Sequence, residues 1–233
     1  MQAVILAAGK GTRMGIKDAP KCLLKIGNKS IIEHQVNYLR NIGCKKILVV
    51  TGYNSNKIKN TLGNSVEYIF NKNFKNSNNM YSLWKARDFI DDEFICIYGD
   101  LFFHKKILEK CVASDSDMVL VVERNLRDET MRVKIENKKI VQVNKKIDSK
   151  NTDGNFIGMA KFSKNSKNHL FQTIKELMEK GNEDAYYTLA IENLIKQGKM
   201  VSFIETEDLP WIDIDTKDDF DYVKKINKEF GGW

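Results

Sequence analysis

The chain has 233 residues, enough for one α/β domain with a sizeable core or for two small domains. Its 42% hydrophobic and 30% charged residues are typical of a globular protein, and no apolar run approaches the ~20 residues that span a bilayer. The net charge of +7 permits nucleic-acid binding, but the lysines are spread along the chain. We therefore favour a basic surface suited to small anionic substrates.

The N-terminus has no basic segment ahead of an apolar stretch, so we expect no secretory signal and a cytoplasmic location. Four cysteines and three histidines are scattered without the spacing of a zinc site, a redox pair or a Cys-His nucleophile. Because no linker or repeat divides the chain, we expect a single domain over residues 1–233.

The first stretch of the chain predicts a strand followed by a cationic loop. Residues 4–8 are apolar, and they are followed by Gly9-Lys10-Gly11-Thr12-Arg13-Met14 and later by Pro20-Lys21. Glycines let backbone N–H groups approach phosphate oxygens, and cations neutralise their charge. The spacing matches neither a P-loop nor a dinucleotide-binding fingerprint, and a tight turn also needs glycine. Phosphate binding and a simple turn therefore both remain open.

The next 50 residues alternate between strand and helix patterns. A short strand is predicted at 22–26, a helix after Ser30, a buried strand at 46–51, a helix at 54–62 and a strand at 65–70. This order predicts a parallel sheet with helices on both faces.

Polar residues then gather at predicted strand ends. Asn79 and Ser82 open a helix after the polar segment 71–78, and we favour a contact with a base or ribose over simple capping. Residues 93–98 predict a central strand that ends at Gly99-Asp100. Asp100 could hold a divalent cation or cap the following helix, which is predicted from about Ile107.

The middle third has strand patterns without intervening helices, at 117–123, 131–136, 139–144 and 156–162. These predict a lid or acceptor lobe at about 124–165, with a hairpin turn at Asn137-Lys138. Helices at 166–180 and 184–197 and an edge strand at 200–204 follow.

Residues 210–216, Pro-Trp-Ile-Asp-Ile-Asp-Thr, alternate carboxylates with apolar residues before a helix predicted at 217–229. Alternation would put Asp213 and Asp215 on one face of a strand. Two like charges so close need a cation or hydrogen-bond donors between them. Capping of the last helix by Asp215 or Thr216 would explain one of these residues but not both carboxylates.

The motifs described above are residues 6–14, Pro20-Lys21, Gly99-Asp100 and residues 211–215. Together they resemble the signature of the sugar-nucleotide-type nucleotidyltransferases. The resemblance implies a Rossmann-like α/β fold, with a mixed, mostly parallel sheet, helices on both faces and a small β-rich lobe over the active site. Residues 78–83 and 213–216 narrow it to the small CTP-dependent cytidylyltransferases for phosphoglutamine, 2-aminoethylphosphonate or phosphocholine. The alternatives are a hexose-1-phosphate nucleotidyltransferase using UTP or dTTP and a non-catalytic nucleotide- or nucleic-acid-binding protein.

The resemblance also implies roles for individual residues. Arg13 and Lys21 would be catalytic, Asp100 and Asp215 would hold Mg²⁺, and Lys10 would be a solvated loop cation. The implied nucleotide-binding set is Leu6, Ala7, Ala8, Gly9, Gly11, Thr12, Asn79, Ser82 and Gly99.

The implied acceptor is a small phosphorylated molecule. Arg132 stands about where phosphocholine enzymes have a tryptophan, and an arginine suits a carboxylate better than a quaternary ammonium. Arg132, Tyr186 and Tyr187 are therefore the predicted acceptor-binding residues, with phosphoglutamine as the first acceptor, then 2-aminoethylphosphonate and phosphocholine. We expect CTP and this acceptor as partners, a role in surface-polysaccharide or capsule decoration, no nucleic-acid or membrane partner, and a monomer or homodimer.

Overall fold

The computed structural model describes residues 1–11, 19–126, 131–226 and 230. Its strands are β1 (Gln2–Ala7), β2 (Lys25–Ile26), β3 (Lys29–Ser30), β4 (Lys46–Thr51), β5 (Glu67–Phe70), β6 (Phe94–Tyr98), β7 (Leu101–Phe103), β8 (Met118–Glu123), β9 (Met131–Glu136), β10 (Lys139–Asn144), β11 (Gly154–Phe162), β12 (Ser202–Glu205) and β13 (Trp211–Asp213). Its α-helices are α1 (Ile31–Asn41), α2 (Ser55–Leu62), α3 (Asn79–Lys85), α4 (Lys105–Ala113), α5 (Lys164–Glu179), α6 (Thr188–Lys196) and α7 (Lys217–Ile226).

The main sheet is mixed, with a parallel centre. Its strand order is β10-β9-β11-β6-β1-β4-β5, and β8 pairs with both β11 and β12 beside this path. Strands β6, β1, β4 and β5 are mutually parallel, whereas β11 runs antiparallel to β6 and β9. The carboxyl ends of β1 and β6 therefore meet at one edge, where open α/β sheets bind ligands.

Helices cover both faces of this sheet, as the sequence predicted. Alternate residues of β1 point to opposite sides, so Val4 and Leu6 join one apolar cluster while Ala3 and Ile5 join the other. The first cluster includes apolar residues of α3, α5 and α6, and the second includes those of α1, α2 and α4. All six residues of β1 are buried because the strand is covered on both faces.

The strand predicted at 22–26 is not a single strand. Pro20 leads into a 3-10 turn over Lys21–Leu23, closed by hydrogen bonds from Leu23 N to Pro20 O and from Leu24 N to Lys21 O, both 2.9 Å. The chain then forms the small β2–β3 hairpin, with Gly27 at φ 64° in its turn. Short-range turn hydrogen bonds thus replace the strand pairing that an apolar run suggested.

The lobe hairpin forms with the predicted bounds. Strands β9 and β10 pair antiparallel, and Asn137 and Lys138 turn between them with left-handed φ values of 49° and 60°. The hairpin joins the main sheet through β9 and β11, where Val133 pairs with Gly154. It therefore continues the sheet past the end of β6 towards the ligand-binding edge.

A two-stranded pairing that the sequence did not predict joins β7 to β13. Asp213 pairs with Leu101, and the Ile214 amide donates to the Asp100 carbonyl at 3.3 Å. Strand β13 ends at Asp213, so the prediction that Asp213 and Asp215 share one strand is corrected, because Asp215 lies beyond it.

The helices differ from their predicted bounds mainly at α6, which begins at Thr188 rather than near residue 184. The Ala185 amide donates to Asn182 O and the Tyr187 amide to Asn79 Oδ1, so the preceding residues form a turn against α3. The end of the last predicted helix, residues 227–229, lies outside the described residues. No helix in the described ranges is long and apolar enough to cross a membrane.

Candidate active site

A cavity of about 630 Å³ opens at the carboxyl ends of β1 and β6. One wall is the end of β1 with its loop, a second is the start of α3, a third carries the aspartates near β13, and the lobe provides the fourth. Its size is that of an ordinary small-molecule site.

Lys21 is a cation that lines this cavity beside the aspartates. Its side chain is only 10% exposed, and its Nζ contacts Asp215 Oδ1 and lies 3.9 Å from Asp100 Oδ2. Gly11 packs against it with φ at +61°, and a Cβ on Gly11 would lie 2.6 Å from Lys21 Cγ. The loop therefore needs glycine at this position both for its backbone conformation and for the space that Lys21 fills.

Three carboxylates cluster next to Lys21, which contacts Asp215 and lies near Asp100. Oxygen atoms of Asp100, Asp213 and Asp215 all lie within 4.8 Å of one another. The β7–β13 pairing brings them together, because Asp100 immediately precedes β7 and Asp213 ends β13. Carboxylate oxygens are the ligands that hard divalent cations prefer, so the donor set fits Mg²⁺ chemically. Asp213 was not among the predicted ligands, although the alternation of residues 211–215 indicated it.

The cap of α7 does not use Asp215. Asp219 Oδ2 accepts from the Thr216 amide at 2.7 Å, from Thr216 Oγ1 at 2.8 Å and from the Asp215 amide at 3.0 Å. The Asp219 amide donates to Thr216 Oγ1, so the two side chains form a capping box that leaves the Asp215 carboxylate on Lys21. Asp219 also lines the cavity. Its position three residues after a threonine is the sequence signal for a capping box.

The end of β1 provides a backbone wall to the cavity, formed by Leu6, Ala7, Ala8, Gly9 and Gly11. Gly99 also lines the cavity, and its amide donates to Leu6 O at 3.0 Å. A Cβ on Gly99 would lie 2.9 Å from that of Ala7, so a glycine allows β6 to end close against β1. Lys10 is exposed, with its Nζ 5.8 Å from the Tyr53 ring centroid. Thr12 and Arg13 lie outside the described residues.

Asn79 and Ser82 both line the cavity from α3. Helix capping falls to Asn78, whose side chain accepts from the Asn79 amide at 2.8 Å. Ser82 Oγ accepts from Asn71 Nδ2 at 3.1 Å, and Asn79 Oδ1 accepts from the Tyr187 amide at 2.8 Å. Asn71 is a buried lining residue that sequence reasoning missed, and its signal was a polar side chain directly after β5.

Of the three predicted acceptor-binding residues, one lines the cavity and two do not. Tyr186 lines the cavity, whereas Tyr187 is fully buried, with its ring 5.9 Å from that of Tyr98. Arg132 does not line the cavity, and its guanidinium donates to Ile147 O at 2.7 Å. Lys145, which the sequence did not single out, lines the cavity with its Nζ 3.2 Å from the Tyr186 hydroxyl. The acceptor-binding roles stay predictions.

Burial keeps the other ionisable groups near the cavity uncharged. Desolvation and the neighbouring Asp100 charge raise the pKa of the Cys22 thiol far above its usual range. Burial likewise raises the pKa of the Tyr98 and Tyr187 hydroxyls. Among the described lining residues, the formal charge of the site therefore comes from lysines and aspartates.

The comparison of the sequence with protein families identifies one family. The MobA-like NTP transferase domain matches residues 3–164, which include the β1 loop, the Asp100 strand end and the lobe hairpin. The chain belongs to this family. It is therefore a nucleotidyltransferase, and the matched range contains the end of β1, Lys21 and Asp100.

Individual relatives agree with the motif resemblance. The chain is 26% identical to the CTP:phosphoglutamine cytidylyltransferase of Campylobacter jejuni, covering 95% of this chain and 98% of the relative. The inositol-1-phosphate CTP transferase from T. maritima matches with a TM-score of 0.83 at 19% identity, covering 100% of this chain and 97% of that one. The CTP:phosphocholine cytidylyltransferase from Streptococcus pneumoniae matches with a TM-score of 0.80 at 21% identity, covering 97% and 98%.

The two solved structures share the fold of this chain. They confirm the predicted Rossmann-like nucleotidyltransferase architecture. The family match and the Campylobacter jejuni relative confirm the resemblance to the small cytidylyltransferases.

Proposed function

We propose that the protein is a CTP-dependent cytidylyltransferase that joins CMP to a small phosphorylated or phosphonylated amine or amino acid and releases pyrophosphate. L-glutamine phosphate is the first candidate acceptor, followed by 2-aminoethylphosphonate and phosphocholine, and the product would serve surface-polysaccharide or capsule decoration. The proposal is carried by the position of Lys21 beside Asp100 and Asp215, with Asp213 close to both aspartates, at the carboxyl ends of β1 and β6. The similarity to the phosphoglutamine enzyme supports the choice of CTP and acceptor.

The proposed reaction needs positioning and charge neutralisation rather than covalent catalysis. An oxygen of the acceptor phosphate attacks the α-phosphorus of CTP in line; the new P–O bond forms as the bond to pyrophosphate breaks. The attacking oxygen is already an anion, so no side chain has to remove a proton from it. Holding the two anions in this geometry supplies a large part of the rate enhancement.

Lys21 would stabilise the negative charge that develops near the α-phosphate. Its ammonium is largely shielded from water, and an electrostatic interaction is stronger in such a site than in bulk solvent. Gly9 and Gly11 would offer backbone N–H groups to the triphosphate, and among the described residues, chain neighbours apart, no atom lies within 4 Å of the Cβ position of Gly9. We assign Arg13 to the β- and γ-phosphates of CTP. We assign Thr12, in the same loop, to binding of the triphosphate.

Asp100 and Asp215 would hold Mg²⁺, with Asp213 beside them. The ion, when bound, would offset the charge of the triphosphate. Asn79 and Ser82 would face the cytosine and ribose from α3, with Asn71 orienting the Ser82 hydroxyl.

Pyrophosphate release from CTP, UTP, dTTP and ATP, each with a panel of acceptors, tests this proposal. The panel contains L-glutamine phosphate, 2-aminoethylphosphonate, phosphocholine, phosphoethanolamine, O-phosphoserine and glucose-1-phosphate. We expect turnover with CTP and a small phosphorylated amine or amino acid in the presence of Mg²⁺.

Turnover with UTP or dTTP and glucose-1-phosphate, but none with CTP, would replace the proposal with a hexose-1-phosphate nucleotidyltransferase. No turnover, combined with salt-sensitive binding to RNA or DNA, would support the non-catalytic alternative.

A further inference from the structure

We infer that Lys145 binds a carboxylate, or a similar anionic group, on the acceptor, so that the enzyme selects acceptors with an anion at the end opposite their phosphate. This inference rests on the proposed function, because it concerns the acceptor of that same reaction. It assigns the selectivity to a residue of the lobe rather than to the nucleotide-binding loop.

Lys145 is the cationic side chain on the lobe side of the cavity among the described lining residues. Lys21, by contrast, already contacts Asp215 and lies 3.9 Å from Asp100. Within the described part of the chain, no carboxylate oxygen lies within 4.0 Å of the Lys145 ammonium. Its polar partner there is the Tyr186 hydroxyl, so no carboxylate of the described residues pairs with its charge.

The position of Lys145 is set by contacts on either side of it. Asn144 Nδ2 donates to Glu192 Oε1 of α6, and Asn144 Oδ1 accepts from the Lys146 amide at 2.8 Å. Tyr186 stands just before α6, and the Lys145 Nζ lies 4.7 Å from its ring centroid. The end of β10 is thus tied to α6, and the exposed Lys145 side chain lies beside Tyr186 at the cavity.

The sheet register places the end of β10, which Lys145 follows, a small molecule's length from β6, whose end leads to Asp100. Asn144 pairs with Arg132 and Phe156 pairs with Met131, so Lys145 follows at the level of Met131. Strand β10 is three strands from β6, which is roughly 14 Å at ~4.8 Å per strand. The side chains lining the interval include the apolar Met131 and Phe156, which offer no charge.

The same geometry opposes a quaternary ammonium acceptor. Such a cation is bound by aromatic faces, but the Tyr186 face already has a lysine ammonium over it. Trp211, also at the cavity, is buried and donates from its Nε1 to Glu123 Oε2 at 2.9 Å. A positive group next to Lys145 would be repelled, whereas a carboxylate would gain a charge-assisted hydrogen bond.

O-phosphoserine and phosphoethanolamine test this inference, because they differ only by one carboxylate. We would measure kcat and KM for both acceptors and for CTP with the wild type, Lys145→Met, Lys145→Arg and the control Lys146→Met, which neutralises the neighbouring exposed lysine. Lys145→Met should lower kcat/KM for O-phosphoserine by about 10- to 100-fold, mostly through KM, as expected for losing a hydrogen bond to a charged group. Phosphoethanolamine turnover and the KM for CTP should change by less than about threefold, and Lys145→Arg should restore most of the loss.

Equal effects of Lys145→Met on both acceptors, or a wild type that prefers phosphoethanolamine, would overturn the inference. Titration calorimetry of O-phosphoserine into each variant, without CTP, separates it from the proposed function. Binding that depends on Lys145 without any CTP turnover would support the inference and refute the cytidylyltransferase. CTP turnover with unchanged acceptor binding in Lys145→Met would do the reverse.

Discussion

At the scale of single residues, the site depends on charges held close together out of bulk water. Lys21 is 10% exposed and pairs with Asp215 near Asp100, and with Asp213 close by the carboxylates outnumber the lysine. Removing one aspartate therefore changes the electrostatics of the site more than the packing around it.

Asp100→Asn and Asp215→Asn each keep the shape of the side chain and remove one charge. Each should lower the kcat of cytidylyl transfer by at least about 100-fold, because charge stabilisation by a metal ion contributes several kcal/mol. Pyrophosphate release measures the rate, and circular dichroism checks that the fold is intact. The control is Asp218→Asn, because Asp218 lies on α7 and does not line the cavity. Near-normal rates in both variants would remove the metal assignment.

A second residue-scale effect concerns His34, which is buried on α1 with its Nε2 2.9 Å from Ile26 O. Burial lowers its pKa below the usual value, although the hydrogen bond to Ile26 opposes this. The unfolded imidazole, with a pKa near 6.5, therefore binds a proton at a higher pH than the folded one. As pH falls from about 7.5 to 5.5, protonation favours the unfolded state and stability is lost.

His34→Gln removes this titration, so its free energy of unfolding should fall less than that of the wild type over the same pH interval. Urea denaturation at pH 7.5 and pH 5.5 gives the two differences. All other titrating groups are common to both proteins and cancel in the comparison. Identical pH dependence in the two would show that His34 titrates normally in the fold.

At the scale of elements, short strands and caps position the aspartates. The β7–β13 pair is only three residues long in each strand, yet it brings Asp213 beside Asp100. The Thr216–Asp219 capping box then starts α7 directly after Asp215. The carboxylate on Lys21 is thus held between a strand end and a helix start.

Thr216→Ala removes one half of the capping box and should destabilise the protein by about 1 kcal/mol in urea unfolding. Because the Asp215 amide shares the Asp219 carboxylate, kcat/KM should also fall, by roughly fivefold at this energy. Thr216→Ser retains the hydroxyl and should behave like the wild type. A loss of stability without any change in kcat/KM would show that α7 does not help to position Asp215.

At the scale of the whole molecule, the cavity lies between the parallel centre of the sheet and the lobe that β9 and β10 add to it. The residues that line it are distant in sequence, from Gly11 to Lys145 and Asp215. Binding should therefore stabilise the folded state as a unit.

Mg²⁺ and CTP at about 100 times the dissociation constant should add about 2.7 kcal/mol to the free energy of unfolding. For a chain of this length, that corresponds to a rise in Tm of about 5–10 °C. Differential scanning fluorimetry with CTP, and with UTP for comparison, measures it, and EDTA should remove most of the shift. A larger shift with UTP than with CTP would contradict the nucleotide assignment.

The sequence alone predicted elements whose signals are local. The β9–β10 hairpin has the predicted bounds because strand alternation and the Asn137-Lys138 turn are read from neighbouring residues. The start of α1 at Ser30 was likewise readable, since Glu33 accepts from its amide and hydroxyl. The strand predicted at 22–26 failed because Pro20 and Gly27 favour turns that an apolar run does not reveal.

By itself, the sequence determined the nucleotidyltransferase family and the residues at the ends of β1 and β6, because a strand end and its loop are contiguous. Only the tertiary structure decided which charges meet: Asp213 joins Asp100 through the β7–β13 pair, and Lys145 rather than Arg132 lines the cavity. Neighbouring residues on a strand point to opposite faces, and distant strands pair through long-range packing. Local spacing in the sequence therefore predicts neither the proximity of Asp213 and Asp100 nor which cation of the lobe lines the cavity. Lys21, which follows the cationic loop near the start of the chain, forms a site only together with those distant aspartates.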